Sequence, residues 1–144
     1  RCKIMEKIDF LLIKESDYQF LYELLLQRNS DANISHKEMP SYEEHVKFVR
    51  SQPYSKWYII EIDGERVGSI YLTNQNEVGI FVEERSHAKG IGSNALNVLI
   101  DQNPGLRYLA NINPENKKSI DFFEKSGFVL IQYTYELLKN GNEE

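Results

Sequence analysis

The sequence predicts an α/β (α+β) domain, on three observations. A clear β-hairpin sits near the middle of the chain, strand and helix patterns follow in the order βααββ and then βαβαβ, and no internal repeat breaks that order. The 144 residues fall within the size of one domain, and a composition 41% hydrophobic and 12% aromatic suffices for one core. A single domain is expected over residues 5–138, with tails at 1–4 and 139–144; Met5 is taken as its start.

The first strand is expected over Lys7 to Ile13. Ser16 with Gln19 three residues on then forms a capping box for a helix carrying Phe20, Leu21, Leu24 and Leu25. The polar stretch from Asn29 to Pro40 reads as a connector. Ser41 and Glu44 make a second capping box, and Val46, Phe48 and Val49 give the following helix its apolar face. Two β-rich runs, Trp57 to Ile62 and Arg66 to Leu72, flank Asp63-Gly64, a dipeptide that readily takes the positive φ angles of a two-residue hairpin turn. Strands at Glu77 to Val82 and Leu106 to Ile112 bracket an amphipathic helix from Gly90 to Gln102. A last helix from Asn116 to Ser126 stops at Gly127, suited to a left-handed helix terminus, before a strand from Phe128 to Leu138.

Composition narrows the function classes. No apolar run approaches the roughly 20 residues that span a bilayer, and no signal-peptide pattern opens the chain, so a soluble cytoplasmic protein without membrane association is expected. The single cysteine, Cys2, excludes an intrachain disulfide and a cysteine-based metal cluster, and no metal is expected. A net charge of −5 argues against non-specific nucleic-acid binding.

Two segments carry chemistry. In the first, Val82 to Ser93, a strand passes through a polar turn into a glycine-marked helix start, where uncovered N–H groups and the helix dipole favour an anion such as a diphosphate. A tight turn that binds nothing has the same Gly-x-Gly spacing. The second, Asn113 to Phe128, follows the next strand at once.

Together, His87-Ala88-Lys89-Gly90-Ile91-Gly92 and the set Asn116, Ser119, Phe123, Gly127 and Phe128 resemble the two acetyl-CoA motifs of the GNAT superfamily of N-acetyltransferases. The resemblance runs from about Ile8 onward and is strongest between Glu77 and Phe128. It implies a mixed, mostly antiparallel sheet flanked by helices and splayed at a β-bulge in the strand Glu77 to Val82, with the pantetheine arm in the split. Phe81 and Val82 would then offer backbone groups to the pantetheine, with the N–H of Phe81 holding the oxyanion; Lys89, Gly90, Ile91, Gly92 and Ser93 would cradle the pyrophosphate, with His87 and Ala88 also at the cofactor; Asn116 would meet the cofactor near its middle or help orient it, and Phe123 would line its pocket. His87 stands where the family usually has Gln or Arg, and Phe123 where many members have a tyrosine that protonates the leaving CoA thiolate. A phenyl ring has no proton to give.

The implied activity is transfer of an acetyl group from acetyl-CoA to a primary amine of a small molecule, such as an amino sugar, or of a peptide or protein. A neutral amine is the nucleophile, so a base must take a proton, and Glu77 is the candidate; Glu61 and His45 are weaker ones, better read as surface or core polar groups. Trp57, Tyr58, Tyr71, Tyr133 and Tyr135 are read mainly as strand residues packing a sheet. One strand after Gly127, where many members have two, leaves the acceptor side open or completed by a second subunit of a homodimer. The rival readings are a non-catalytic acetyl-CoA sensor or interaction domain and a binder of another phosphate ligand.

Overall fold

A computed structural model describes residues 7–27, 39–83, 86, 90–105 and 107–139. Four antiparallel strands, β1 (Ile8–Leu12), β2 (Lys56–Ile62), β3 (Glu65–Leu72) and β4 (Val78–Val82), form a sheet in chain order. Helices α1 (Tyr18–Gln27) and α2 (Tyr42–Arg50) lie between β1 and β2, and α3 (Ile91–Gln102) and α4 (Lys117–Lys125) follow β4.

Ile59 and Ile60 are adjacent in β2, point to opposite faces, and are both fully buried. That requires cover on both sides of the sheet. Ile59 joins Leu21, Leu24 and Val49 of α1 and α2, whereas Ile60, Ile70 and Val78 join Ala95, Leu96, Leu99 and Phe123 of α3 and α4. Covered strands read as continuous apolar runs, as Trp57 to Ile60 of β2 does.

Local signals fix several elements. Asp63 and Gly64 both have positive φ, 52° and 81°, the hairpin turn that the dipeptide predicts. Ser41 Oγ accepts from the Glu44 N–H at 3.1 Å while Glu44 Oε1 accepts from the Ser41 N–H at 2.9 Å, closing the expected box at the start of α2. At α1 the expected Ser16–Gln19 box is replaced by a 3-10 turn over Glu15–Asp17, in which Asp17 accepts from the Lys14 N–H at 2.9 Å. Asp17 also accepts from Arg66 of β3 at 2.7 Å and is buried. A long-range ion pair thus sets the entry to α1, and no local motif announces it.

Three strand expectations are corrected. The β3–β4 register runs without a shift, so the bulge is not in β4; it lies on β3, where Val67 is extra opposite Ile60 and Glu61. The strand expected to Ile112 makes one parallel bridge, Glu77 to Leu109, with Leu106 outside the described residues. Residues 128–138 form no strand among the described residues, and most of their apolar side chains face solvent. Tails 1–4 and 140–144 and most of the 29–40 connector lie outside the described residues.

Among the described residues no helix is long and apolar enough to cross a membrane. His45 of α2 is buried, its ring 5.4 Å from that of Tyr22, and among the described residues Nε2 has no hydrogen-bond partner; burial pushes its pKa below 6.5. The folded state therefore prefers neutral His45, and its contribution, complete above the unfolded pKa, is lost as pH falls below about 6.5. Urea unfolding of the wild type should lose stability from pH 7.5 to 5.5, by at most about 1.4 kcal/mol per pH unit from this group. His45→Leu should flatten that slope; equal slopes in both proteins would discard the explanation.

Candidate active site

On one edge β4 is zipped to β3 from Leu72–Val78 to Gly68–Val82. On the other it is held at one place, where the Val78 N–H donates to Leu109 O at 2.8 Å and the Leu109 N–H donates to Asn76 O at 2.9 Å. Among the described residues no strand pairing continues past that bridge. The chain beyond Leu109 instead enters a turn in which Asn113 Oδ1 accepts from the Glu115 N–H at 2.8 Å, and then α4. The two parallel segments thus diverge toward their carboxyl ends, where α3 and α4 begin, and crevices of this kind are where α/β sheets bind ligands.

Strand alternation decides which groups face the opening. Val78 donates outward to Leu109, and Glu83 donates inward to Val67 O at 2.8 Å, so the N–H and C=O of Ile80 and Val82 turn to the opening and those of Phe81 turn to β3. The backbone of Phe81, the expected oxyanion donor, thus lies on the β3 side of the strand, because no bulge shifts the parity of β4. The side chains of Phe81 and Val82 pack into the two opposite core layers.

At the start of α3, Gly90 is the N-cap with φ 73°, a conformation costly for other residues, and no side chain among the described residues caps the helix. A Cβ at Gly90 would meet nothing within 4 Å, so the first turn, with Ile91 buried and Ser93 exposed, opens outward at Gly90. Uncovered donors and space suit an anion. Gly92 differs: a Cβ there would lie 3.2 Å from Phe122 of α4, so this glycine lets the two helices pack closely. His87, Ala88 and Lys89 lie outside the described residues. Asn116 Oδ1 accepts from the Ser119 N–H at 3.2 Å and caps α4, while Phe123 is buried with its ring against Phe122 and Phe128.

Glu77 stands at the bridge from which the opening starts. Thr73 Oγ donates to Oε1 and Asn111 Nδ2 donates to Oε2, both at 3.1 Å, and these partners were not legible in the sequence. By alternation Glu77, Gly79 and Phe81 share the face toward α1 and α2. Tyr71 bends over that face so closely that a Cβ at Gly79 would collide with its ring and hydroxyl oxygen, and Tyr54 stacks on its other side at 3.8 Å. The Tyr71 hydroxyl therefore sits over the strand between Glu77 and Phe81. Of the weaker candidates, His45 is in the α1–α2 layer, and Glu61 is on β2, paired with Asp9 and Arg66. Among the described residues no group of three or more His, Cys, Asp or Glu could hold a metal ion.

The two glycines should separate on substitution. Gly90→Ala should cost about 1 kcal/mol from the left-handed backbone alone. Gly92→Val should cost about 1–3 kcal/mol by overpacking against Phe122. Denaturant midpoints measure both, and an unchanged midpoint for Gly92→Val would contradict the packing role.

The sequence matches the acetyltransferase (GNAT) family over residues 18–128. No match was found among curated proteins. Among solved structures, the chain is similar to a domain from Methanocaldococcus jannaschii, with 25% identity, TM-score 0.74, and 91% of this chain and 94% of that one covered. It is similar to an acetyltransferase from Thermus thermophilus, with 20% identity, TM-score 0.71, and 89% and 92% covered. The ribosomal L7/L12 alpha-N-protein acetyltransferase RimL, solved in complex with coenzyme A, matches with 20% identity, TM-score 0.67, and 87% and 81% covered. A family match spanning most of the chain, on a sheet open at the expected strand, establishes that the protein belongs to the acetyltransferase (GNAT) family.

Proposed function

We propose that the protein transfers the acetyl group of acetyl-CoA to a primary amine, with the pantetheine arm along the open edge of β4. The observation that carries this reading is that edge: paired with the next segment only at Glu77–Leu109 among the described residues, it turns the backbone groups of Ile80 outward, where amides of an extended arm can pair as a strand would. The uncapped start of α3 at Gly90 is then in place for the pyrophosphate. RimL, similar in fold, was solved with coenzyme A, which supports this ligand class. Its acceptor is a protein α-amine, whereas the acceptor here is left as a primary amine of a small molecule or a peptide.

In the proposed reaction the amine nitrogen attacks the thioester carbonyl carbon, and a C–N bond forms as the C–S bond breaks. The backbone N–H of Ile80 would hold the oxyanion, and no side-chain replacement removes such a donor. The amine proton must leave. Glu77 lies three residues along the strand from that donor, roughly 10 Å, too far for direct transfer, so its role would be through water. The Tyr71 hydroxyl, over Gly79, stands between them and would join that relay. The proton finally reaches the departing CoA thiolate. Phe123 would only pack.

Turnover of acetyl-CoA with a panel of primary amines, read as free CoA thiol, tests the reading; binding of CoA without thiol release on any amine would favour a sensor. With a good acceptor, Glu77→Gln should keep acetyl-CoA affinity and lower turnover about 10–100-fold, most at low pH, where neutral amine is scarcest. Superimposable pH–rate curves would remove Glu77 from the mechanism. Tyr71→Phe should lower turnover about tenfold at unchanged affinity if its hydroxyl carries protons.

A further inference from the structure

Glu77 sits where the β3–β4 turn, the start of β4 and the segment that leaves the sheet after Leu109 come together. One hydroxyl organises its turn. Thr73 Oγ accepts from the N–H of Gln75 at 3.2 Å and of Glu77 at 3.0 Å, and donates to Glu77 Oε1 at 3.1 Å, which uses its one donor and both acceptor sites. The Thr73 N–H donates to Glu77 O at 2.9 Å, and Asn76, at φ 65°, gives its carbonyl to the Leu109 N–H at 2.9 Å. The same turn therefore fixes one carboxylate oxygen and the bridge beside it.

The other oxygen is reached from across the opening. Tyr108, Ala110 and Ile112 pack against the α3–α4 core, so alternation puts Leu109 and Asn111 on the opposite face, the one Glu77 occupies. Asn111 lies two residues beyond the bridge, on the diverging segment, and its Nδ2 donates to Glu77 Oε2 at 3.1 Å. The carboxylate is thus slung between its own turn and the far lip of the opening. Two donors occupy about two of the four lone-pair sites of a carboxylate. Taking a proton through water needs one of the others, in a fixed place.

We infer that Asn111 is a positioning residue that holds the Glu77 carboxylate for proton removal, an inference that rests on the transfer reading above with Glu77 as its base. A glutamate side chain turns about several bonds, and a water relay over about 10 Å works only where its end point is held. The contact with Thr73 fixes one oxygen and leaves the carboxylate able to swing about it. The amide of Asn111, anchored on the other segment, stops that swing.

Asn111 is exposed, so Asn111→Leu should keep the circular dichroism and denaturant midpoint of the wild type. With a good amine acceptor it should lower kcat about tenfold at unchanged KM for acetyl-CoA. Asn111→Asp, of the same shape but without the donor, should be at least as slow. The deciding measurement is a cycle with Glu77→Gln: a residue that acts through the carboxylate has nothing left to act on, so adding Asn111→Leu to Glu77→Gln should lower kcat no further. Losses that multiply would overturn the inference, as would wild-type kcat in Asn111→Leu or Asn111→Asp while Glu77→Gln is slow. In those outcomes Glu77 remains the base. Wild-type kcat in Glu77→Gln would instead remove the base and the role of Asn111 with it, and a wild type that releases no CoA thiol with any amine would remove the transfer reading and this inference together.

Discussion

The site depends on an asymmetry in one strand. β4 is bound along its full length to β3 but, among the described residues, the following segment pairs with this edge only at the Glu77–Leu109 bridge. Backbone groups of Ile80 that would otherwise be spent on a neighbouring strand turn to that side instead. The next element along the chain is α3, whose start at Gly90 favours an anion.

What keeps the opening from collapsing is its two flanking layers. Phe81 is held by the cluster around Leu21, Leu24, Val49 and Ile59, and Val82 by the cluster around Ile70, Leu96 and Leu99. Sliding β4 by one residue to close the gap would exchange these faces and carry every buried side chain to the wrong layer. Gly68 reinforces the register, since a Cβ there would collide with the carbonyl oxygen of Phe81. Close backbone packing, not a side-chain contact, fixes this end of β4.

Legibility followed the range of the interaction. Asp63-Gly64 and the Ser41–Glu44 box act within four residues and were read correctly. The start of α1 was misread because Asp17 answers to Arg66, 49 positions away, and a buried partnered carboxylate outweighs an exposed capping pair. The motif glycines looked equivalent in sequence, yet Gly90 needs its left-handed φ and Gly92 needs space beside Phe122. The parity of β4, and with it the choice between Phe81 and Ile80, turned on where a bulge lies, and a bulge at Val67 leaves no mark in composition. Thr73 and Asn111, which hold Glu77, sit in polar stretches that read as plain turns.

The face that would receive an acceptor is aromatic and poorly supplied with polar partners. Phe48, Tyr54, Trp57 and Tyr71 contact one another edge-to-face or stacked, and within this layer Trp57 Nε1 and His45 Nε2 are buried without hydrogen-bond partners among the described residues. An unpaired buried polar atom costs about 1–3 kcal/mol, which natural cores avoid unless packing compels it. Here the compulsion is the close seating of Tyr71 on Gly79, which draws Tyr54 and then Trp57 into a fixed stack. The same seating confines the Tyr71 hydroxyl to the strand face between Glu77 and Phe81. A low-polarity wall beside one placed hydroxyl disfavours the charged form of an incoming amine, and the neutral amine is the form that reacts.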